Sequence, residues 1–220
     1  MLNALVIGAT GLVGRHLIER LLADRRFGSV VMFVRNKSGI QHDRLTEHVI
    51  DFGKPDQWQH LVKGDVLFSA LGTTRKKAGG KTQQYAVDHG YQFQFAAAAA
   101  RNGVRVCVLV SAAGADRRSG FFYMRMKGQL ESDIKELHFR RLVLIRPGPL
   151  KGPRKEHRIG EKIGVTIIHG LNYLGLFRKY RPIDGDTVSC AMVNASIGER
   201  TGVLSYALDE LFLLAEHGAL

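Results

Sequence analysis

Tyr123 and Lys127 stand four residues apart in Phe122 to Leu137, a stretch whose Met126, Leu130, Ile134 and Leu137 recur at helical spacing. Four residues is about one helical turn, so the phenol and the ammonium share a face. An ammonium beside a phenol favours the phenolate. Such a tyrosine can exchange a proton with a carbonyl oxygen while a nicotinamide exchanges hydride with the carbon. Ser111 closes the apolar run Val104 to Val110 and offers a hydroxyl to the same oxygen. Taken alone, the tyrosine–lysine pair also reads as ordinary helix surface. The serine at a strand end and a glycine-rich turn upstream set it apart.

That turn is Gly8-Ala9-Thr10-Gly11-Leu12-Val13-Gly14. It follows the short strand Leu5-Val6-Ile7 and opens a helix with Val13, Leu17 and Leu21 at spacing four. Gly8 permits the tight turn, Gly11 lets a pyrophosphate approach the backbone, and Gly14 lets helix and strand pack closely. Thr10, Leu12 and Val13 complete the cradle, where the helix N-terminus offers free N–H groups to phosphate. A glycine-rich turn without a ligand is the alternative.

The second strand, Val30 to Val34, runs into Arg35-Asn36-Lys37. An NAD site usually carries an acid there for the ribose hydroxyls. An arginine instead suits the 2′-phosphate of NADPH; a solvated surface residue is the other reading. Asp51-Phe52, after the third strand (His48-Val49-Ile50), falls where adenine would lie. Asp51 is either an acceptor for the adenine amino group or a turn former. Ala70, Leu71, Gly72 and Thr73 end the fourth strand (Val66 to Ala70) and leave room for a ribose.

The elements that must position these residues alternate. Strands at Val104 to Val110 and Leu142 to Ile145 flank the Phe122 helix, and a long helix is expected over Tyr85 to Arg101. Repeated strand–helix–strand units predict a doubly wound parallel Rossmann sheet of about seven strands. Residues 149–220 are expected to be a small, less regular C-terminal appendage covering the substrate side, within a single 1–220 domain. There, Thr187 to Ile197 reads as helix, Val203 to Tyr206 as a short strand and Leu208 to Ala215 as a closing helix. Gly152 to Arg181 reads as a basic lid.

Composition bounds the function. The chain has 220 residues, 45% hydrophobic and 24% charged, which excludes a disordered or collagen-like protein. No apolar run reaches the ~18 residues of a membrane-spanning helix. The first residues lack the basic segment of a secretory signal. Two distant cysteines, Cys107 and Cys190, and scattered histidines argue against a disulfide framework or a metal site. Those features are read as a reducing cytoplasm.

The net charge of +12 gathers after the strands. Arg35, Lys37, Arg75, Lys76, Lys77, Lys81, Arg117, Arg118, Lys151, Arg154, Lys155 and Arg158 all fall near the expected ligand edge, beside only Asp116 and Glu156. Such a field draws in an anionic small-molecule substrate or an acidic protein partner. A solubility surface is the plain alternative. Nucleic acid is disfavoured because no aromatic residues interleave with these cations to stack bases.

The glycine turn, Ser111 and Tyr123-x-x-x-Lys127 together resemble the extended and atypical short-chain dehydrogenases/reductases. Ala70 to Gly79, Ser111 to Asp116, Tyr123 to Gly128 and Arg146-Pro147-Gly148 are similar to the subgroup of the Tat-interacting, NADPH-binding tumour suppressor and its bacterial relatives. The resemblance implies NADPH in the crevice and Ser111, Tyr123 and Lys127 at the catalytic positions. It implies that Lys127 contacts the nicotinamide ribose and that Pro147 and Leu150 pack near the nicotinamide. Where the wider family carries an asparagine after the fourth strand, this chain has Asp88. Two functions follow: reduction of a small carbonyl compound, or a non-catalytic NADPH-binding module that contacts a protein. Related proteins occur as monomers and as homodimers.

Overall fold

The structure, a computed structural model, describes residues 1–151 and 181–217. Its strands are β1 (Leu2–Ile7), β2 (Phe27–Val34), β3 (Leu45–Val49), β4 (Val66–Ser69), β5 (Val106–Val110), β6 (Arg141–Arg146), β7 (Leu150–Lys151), β8 (Ile183–Asp184) and β9 (Gly202–Ala207). Seven of them form one parallel sheet in the order β3-β2-β1-β4-β5-β6-β9, and β7 pairs with β8 apart from it. The order reverses beside β1, where chain connections leave to opposite sides and open a crevice at the strand ends.

Alternation along each strand divides the core in two. Ala4 and Val6 face one layer, under α1 (Leu12–Ala23) and the Gly185–Ser196 helix. Leu5 and Ile7 face the other, under α5 (Gln92–Arg101) and α6 (Phe122–Lys135). Both faces of the sheet are therefore covered, which is why the inner strands read as unbroken apolar runs.

The C-terminal part does more than cover an end. β9 is the seventh strand of the main sheet, in register with β6 from Arg141↔Gly202 to Arg146↔Ala207. Val188, Ala191 and Met192 of the Gly185–Ser196 helix are buried in the same cluster as Leu17 and Leu21 of α1. Arg20 of α1 clamps Asp186 through two hydrogen bonds of 3.0 and 2.7 Å. The expected lid, with Arg154, Lys155 and Arg158, lies outside the described residues apart from Arg181.

Two elements differ from the expected ones. β3 begins at Leu45 rather than His48; it is an edge strand with Val49 half exposed, so its sequence lacks the apolar run of an inner strand. The long helix begins at α4 (Lys81–Tyr85) and passes through a π-helical turn, Ala86–Tyr91, before α5. A short helix α3 (Arg75–Ala78), preceded by α2 (Pro55–Trp58), is separated from it by Gly79 and Gly80.

Leu17 is fully buried between α1 and the sheet. Leu17→Ala is expected to cost about 2–5 kcal/mol, through lost transfer energy and a residual cavity. Urea unfolding followed by circular dichroism checks it.

Candidate functional site

The glycine turn sits where β1 ends beside β4. Gly8 has φ +81°, and a Cβ there would lie 2.4 Å from the carbonyl carbon of Ala70. A Cβ at Gly14 would lie 2.1 Å from the Gly8 carbonyl oxygen, so only glycine lets α1 start this close to the strand ends. Gly11 N–H donates to Gly8 O at 2.9 Å and closes the turn. No side chain caps α1 and its first turn carries no acid, which leaves the helix N-terminus open to an anion. Thr10 is exposed at the turn; Val13 is buried, so its backbone rather than its side chain is what the turn presents.

At the β2–β3 end, a cavity of about 470 Å³ is lined by Arg35, Val49, Ile50, Asp51, Phe52, Val87 and Tyr91. Arg35 is exposed and makes no ion pair among the described residues. Asn36 and Lys37 are exposed beside it without lining the cavity. Asp51 behaves as a turn former: its Oδ1 accepts Gly53 N–H at 2.9 Å, and its Oδ2 lies 3.6 Å from Lys54 Nζ. Phe52 is buried and stacks on Tyr91, with centroids 5.9 Å apart. Val87 and Tyr91 were not singled out from sequence. Their signal was a spacing of four inside a helix, which the π turn brings to the cavity wall.

At the β4–β5 end the expected catalytic residues converge in part. Ser111 N–H donates to Ile145 O at 2.7 Å, which fixes the serine at the sheet's end. Its hydroxyl is buried and has no hydrogen-bond partner among the described residues. Lys127, 3% exposed, donates to Val110 O at 3.3 Å, one residue before Ser111. Tyr123 is half-buried one turn earlier on α6; since the Ser111 hydroxyl is unpartnered, the phenol does not hydrogen-bond to it. The loop leading to Tyr123 is tied down by Asp116 N–H to Met124 O and by the Arg125 guanidinium on Ser119 O.

The remaining predicted residues line the same edge. Ala70 N–H donates to Ile7 O at 3.0 Å, and Thr73 N–H to Asp88 Oδ2 at 2.9 Å. Pro147 is buried beyond β6 and accepts from Ala113 N–H, while Leu150 lies in β7 against the core. Arg35 and Ser111 end strands three places apart, about 14 Å at ~4.8 Å per strand. An open helix N-terminus lies between them, and an orphaned hydroxyl stands at the far end. These residues fit an extended dinucleotide across the switch point.

Comparison with known proteins agrees with that geometry. A family model described as NAD(P)H-binding matches residues 8–160. Protein FMP52, mitochondrial, of Eremothecium gossypii is 38% identical over 203 residues, 90% of each chain. Among solved structures, a UDP-N-acetylglucosamine 4-epimerase of Methanobrevibacter ruminantium superposes with a TM-score of 0.68 at 17% identity, covering 97% of this chain and 80% of that one. A short-chain dehydrogenase/reductase superfamily protein of Agrobacterium tumefaciens with bound NAD also gives 0.68, at 16% identity over 94% and 77%. These structures share the fold. The relatives bear the FMP52 name, not that of the Tat-interacting protein. They also correct the expectation of a cytoplasmic protein, because several fungal relatives are named mitochondrial.

A buried hydroxyl with no partner carries a desolvation cost that a ligand would offset. Ser111→Ala is therefore expected to leave the ligand-free protein as stable as wild type or more stable by about 1 kcal/mol. Thermal melting without ligand reads this directly; a marked loss would mean that the hydroxyl is already satisfied.

Proposed function

The chain belongs to the NAD(P)H-binding family, and from that premise we propose that it is an NADPH-dependent reductase of the short-chain type acting on a small carbonyl compound. The observation that carries this reading is the buried Ser111 hydroxyl, without a hydrogen-bond partner among the described residues, at the end of β5, one residue after the Val110 carbonyl that Lys127 binds. A scaffold gains nothing by burying an unused hydroxyl; a site that must bind an oxygen does.

The α1 N-terminus would hold the pyrophosphate, Arg35 the 2′-phosphate, and the wall formed by Phe52, Val87 and Tyr91 the adenine face. Lys127 would hold the nicotinamide ribose, with Pro147 and Leu150 beside the ring. When bound, the cofactor supplies hydride. The chain's own part is to hold the substrate oxygen with Ser111 and to pass it a proton from the Tyr123 hydroxyl. Lys127 stabilises the phenolate left behind.

The cations at the β4–β5 end support an anionic substrate. Arg75, Lys77, Arg117 and Arg118 are exposed in the segments that follow β4 and β5, whereas Arg35 follows β2. A mitochondrial setting follows from the relatives' name. The missing hydrogen bond between Tyr123 and Ser111 favours a second reading, a cofactor-binding module without turnover.

Two measurements test the proposal. Calorimetric titration is expected to show tighter binding of NADPH than NADH, and Arg35→Ala is expected to lose about 1.5–3 kcal/mol for NADPH alone. A screen of aldehydes, ketones and quinones with NADPH is expected to show turnover that vanishes in Tyr123→Phe. Turnover that survives the substitution would remove the tyrosine from the chemistry, and none on any compound would leave the module.

A further inference from the structure

After Met1, Phe121 is the most exposed large apolar side chain among the described residues, at 77%. It stands on the loop between β5 and α6, and the proposed function above does not use it. The loop is built to hold it there. Arg118 N–H donates to Asp116 Oδ1 at 2.8 Å, Ser119 N–H to Asp116 O at 3.0 Å, and Phe121 N–H to the Ser119 hydroxyl at 3.2 Å. The Arg125 guanidinium, on the first turn of α6, donates to both Ser119 O and Gly120 O. The start of the loop lies directly on α6: a Cβ at Gly128 would come within 2.2 Å of Arg117 N.

A lone exposed apolar residue is ordinary on a soluble surface. The charge around this one is what sets it apart. Arg117 and Arg118 precede Phe121 and are exposed. Lys81 Nζ lies over the Phe122 ring, 5.6 Å from its centroid, which brings the segment after β4 against the start of α6. That segment adds Arg75 and Lys77, both exposed. From Thr73 to Val87 and from Ala112 to Leu130 the sequence has one carboxylate, Asp116, and it accepts from its own loop. The result is a fixed aromatic tip within a field of cations that no neighbouring acid in these two segments offsets.

We propose that this surface docks an acidic segment of a partner protein, with an apolar side chain packed on Phe121 and carboxylates on Arg117, Arg118 and Lys81. Two features favour a protein over an anionic membrane. The loop is held by its own hydrogen bonds before anything binds, which lowers the ordering cost of a specific complex; attraction to charged lipid requires no fixed geometry. A single projecting phenylalanine also buries little in a bilayer, where attachment scales with the apolar area inserted. The paired arginines suit carboxylates, which guanidinium groups grip in a planar fork. The proposal needs no cofactor, so it stands apart from the reading of the crevice.

The test pans a displayed library of random peptides against the full chain at physiological salt. Selected sequences are expected to carry a large apolar residue flanked by carboxylates. Made synthetically, they are expected to lose at least about fivefold in affinity on Phe121→Ser, which keeps every charge. Arg117→Gln combined with Arg118→Gln is expected to weaken them too and to flatten their salt dependence. Lys81→Gln, on the other segment, is expected to act in the same direction and serves if a loop variant fails to fold. Vesicles of phosphatidylcholine and phosphatidylserine in equal parts are the comparison. An empty selection, sequences without acid, or binding that Phe121→Ser leaves unchanged would overturn the proposal. Vesicle binding that depends on Phe121, with no peptide selected, would overturn it in favour of a membrane contact.

Discussion

The structure depends on how closely α1 can begin beside the ends of β1 and β4. Backbone meets backbone there: the places for side chains at Gly8 and Gly14 are already taken by Ala70 and by the Gly8 carbonyl. That contact puts an uncapped helix N-terminus at the centre of the sheet's edge, at the point where the strand order reverses. A methyl group at either glycine would push the helix away and move the partial positive charge with it. The reading of the site as an anion cradle, and through it as a cofactor site, follows from this one approach.

From that centre the crevice extends two ways with different physics. Toward β2 and β3 it is open, with the Arg35 guanidinium, which makes no ion pair among the described residues, beside an aromatic wall. Charge there acts through solvent and is tuned by salt. Toward β5 and α6 Ser111, Lys127 and Asp88 are buried, with Lys127 bound to Val110 O and Asp88 to Thr73 N–H. The Ser111 hydroxyl is buried there with no hydrogen-bond partner among the described residues. A cofactor spanning both regions would be recognised by long-range attraction at one end and by fixed geometry at the other.

The parallel sheet was legible because strands buried on both faces leave continuous apolar runs. Leu5 to Ile7, Val66 to Phe68 and Leu142 to Ile145 stand out without any partner being known. β3 and β9 were harder, since edge strands expose one side; Val49 and Val203 are each 51% exposed. The apolar positions of the Gly185–Ser196 helix read as helix, but nothing local said that they pack against α1. Arg35 and Phe52 were legible as lining residues from their distance to strand ends. Val87 and Tyr91 were not, because a spacing of four inside a helix marks a shared face without saying that the face meets the cavity.

The residue types and spacings by themselves determined the chemistry on offer: a glycine turn for phosphate, an arginine in place of an acid, and a serine, tyrosine and lysine able to manage a proton. These are local properties, carried by covalent chemistry and helical period. Tertiary structure alone decided which groups are already engaged. Asp51 is occupied by its own turn, Asp88 is set against Lys127 by a helix irregularity, and Ser111 is buried with its hydroxyl unanswered. Whether a polar group is paired depends on what the folded chain brings within about 3 Å of it, and residues far apart in sequence supply that neighbour.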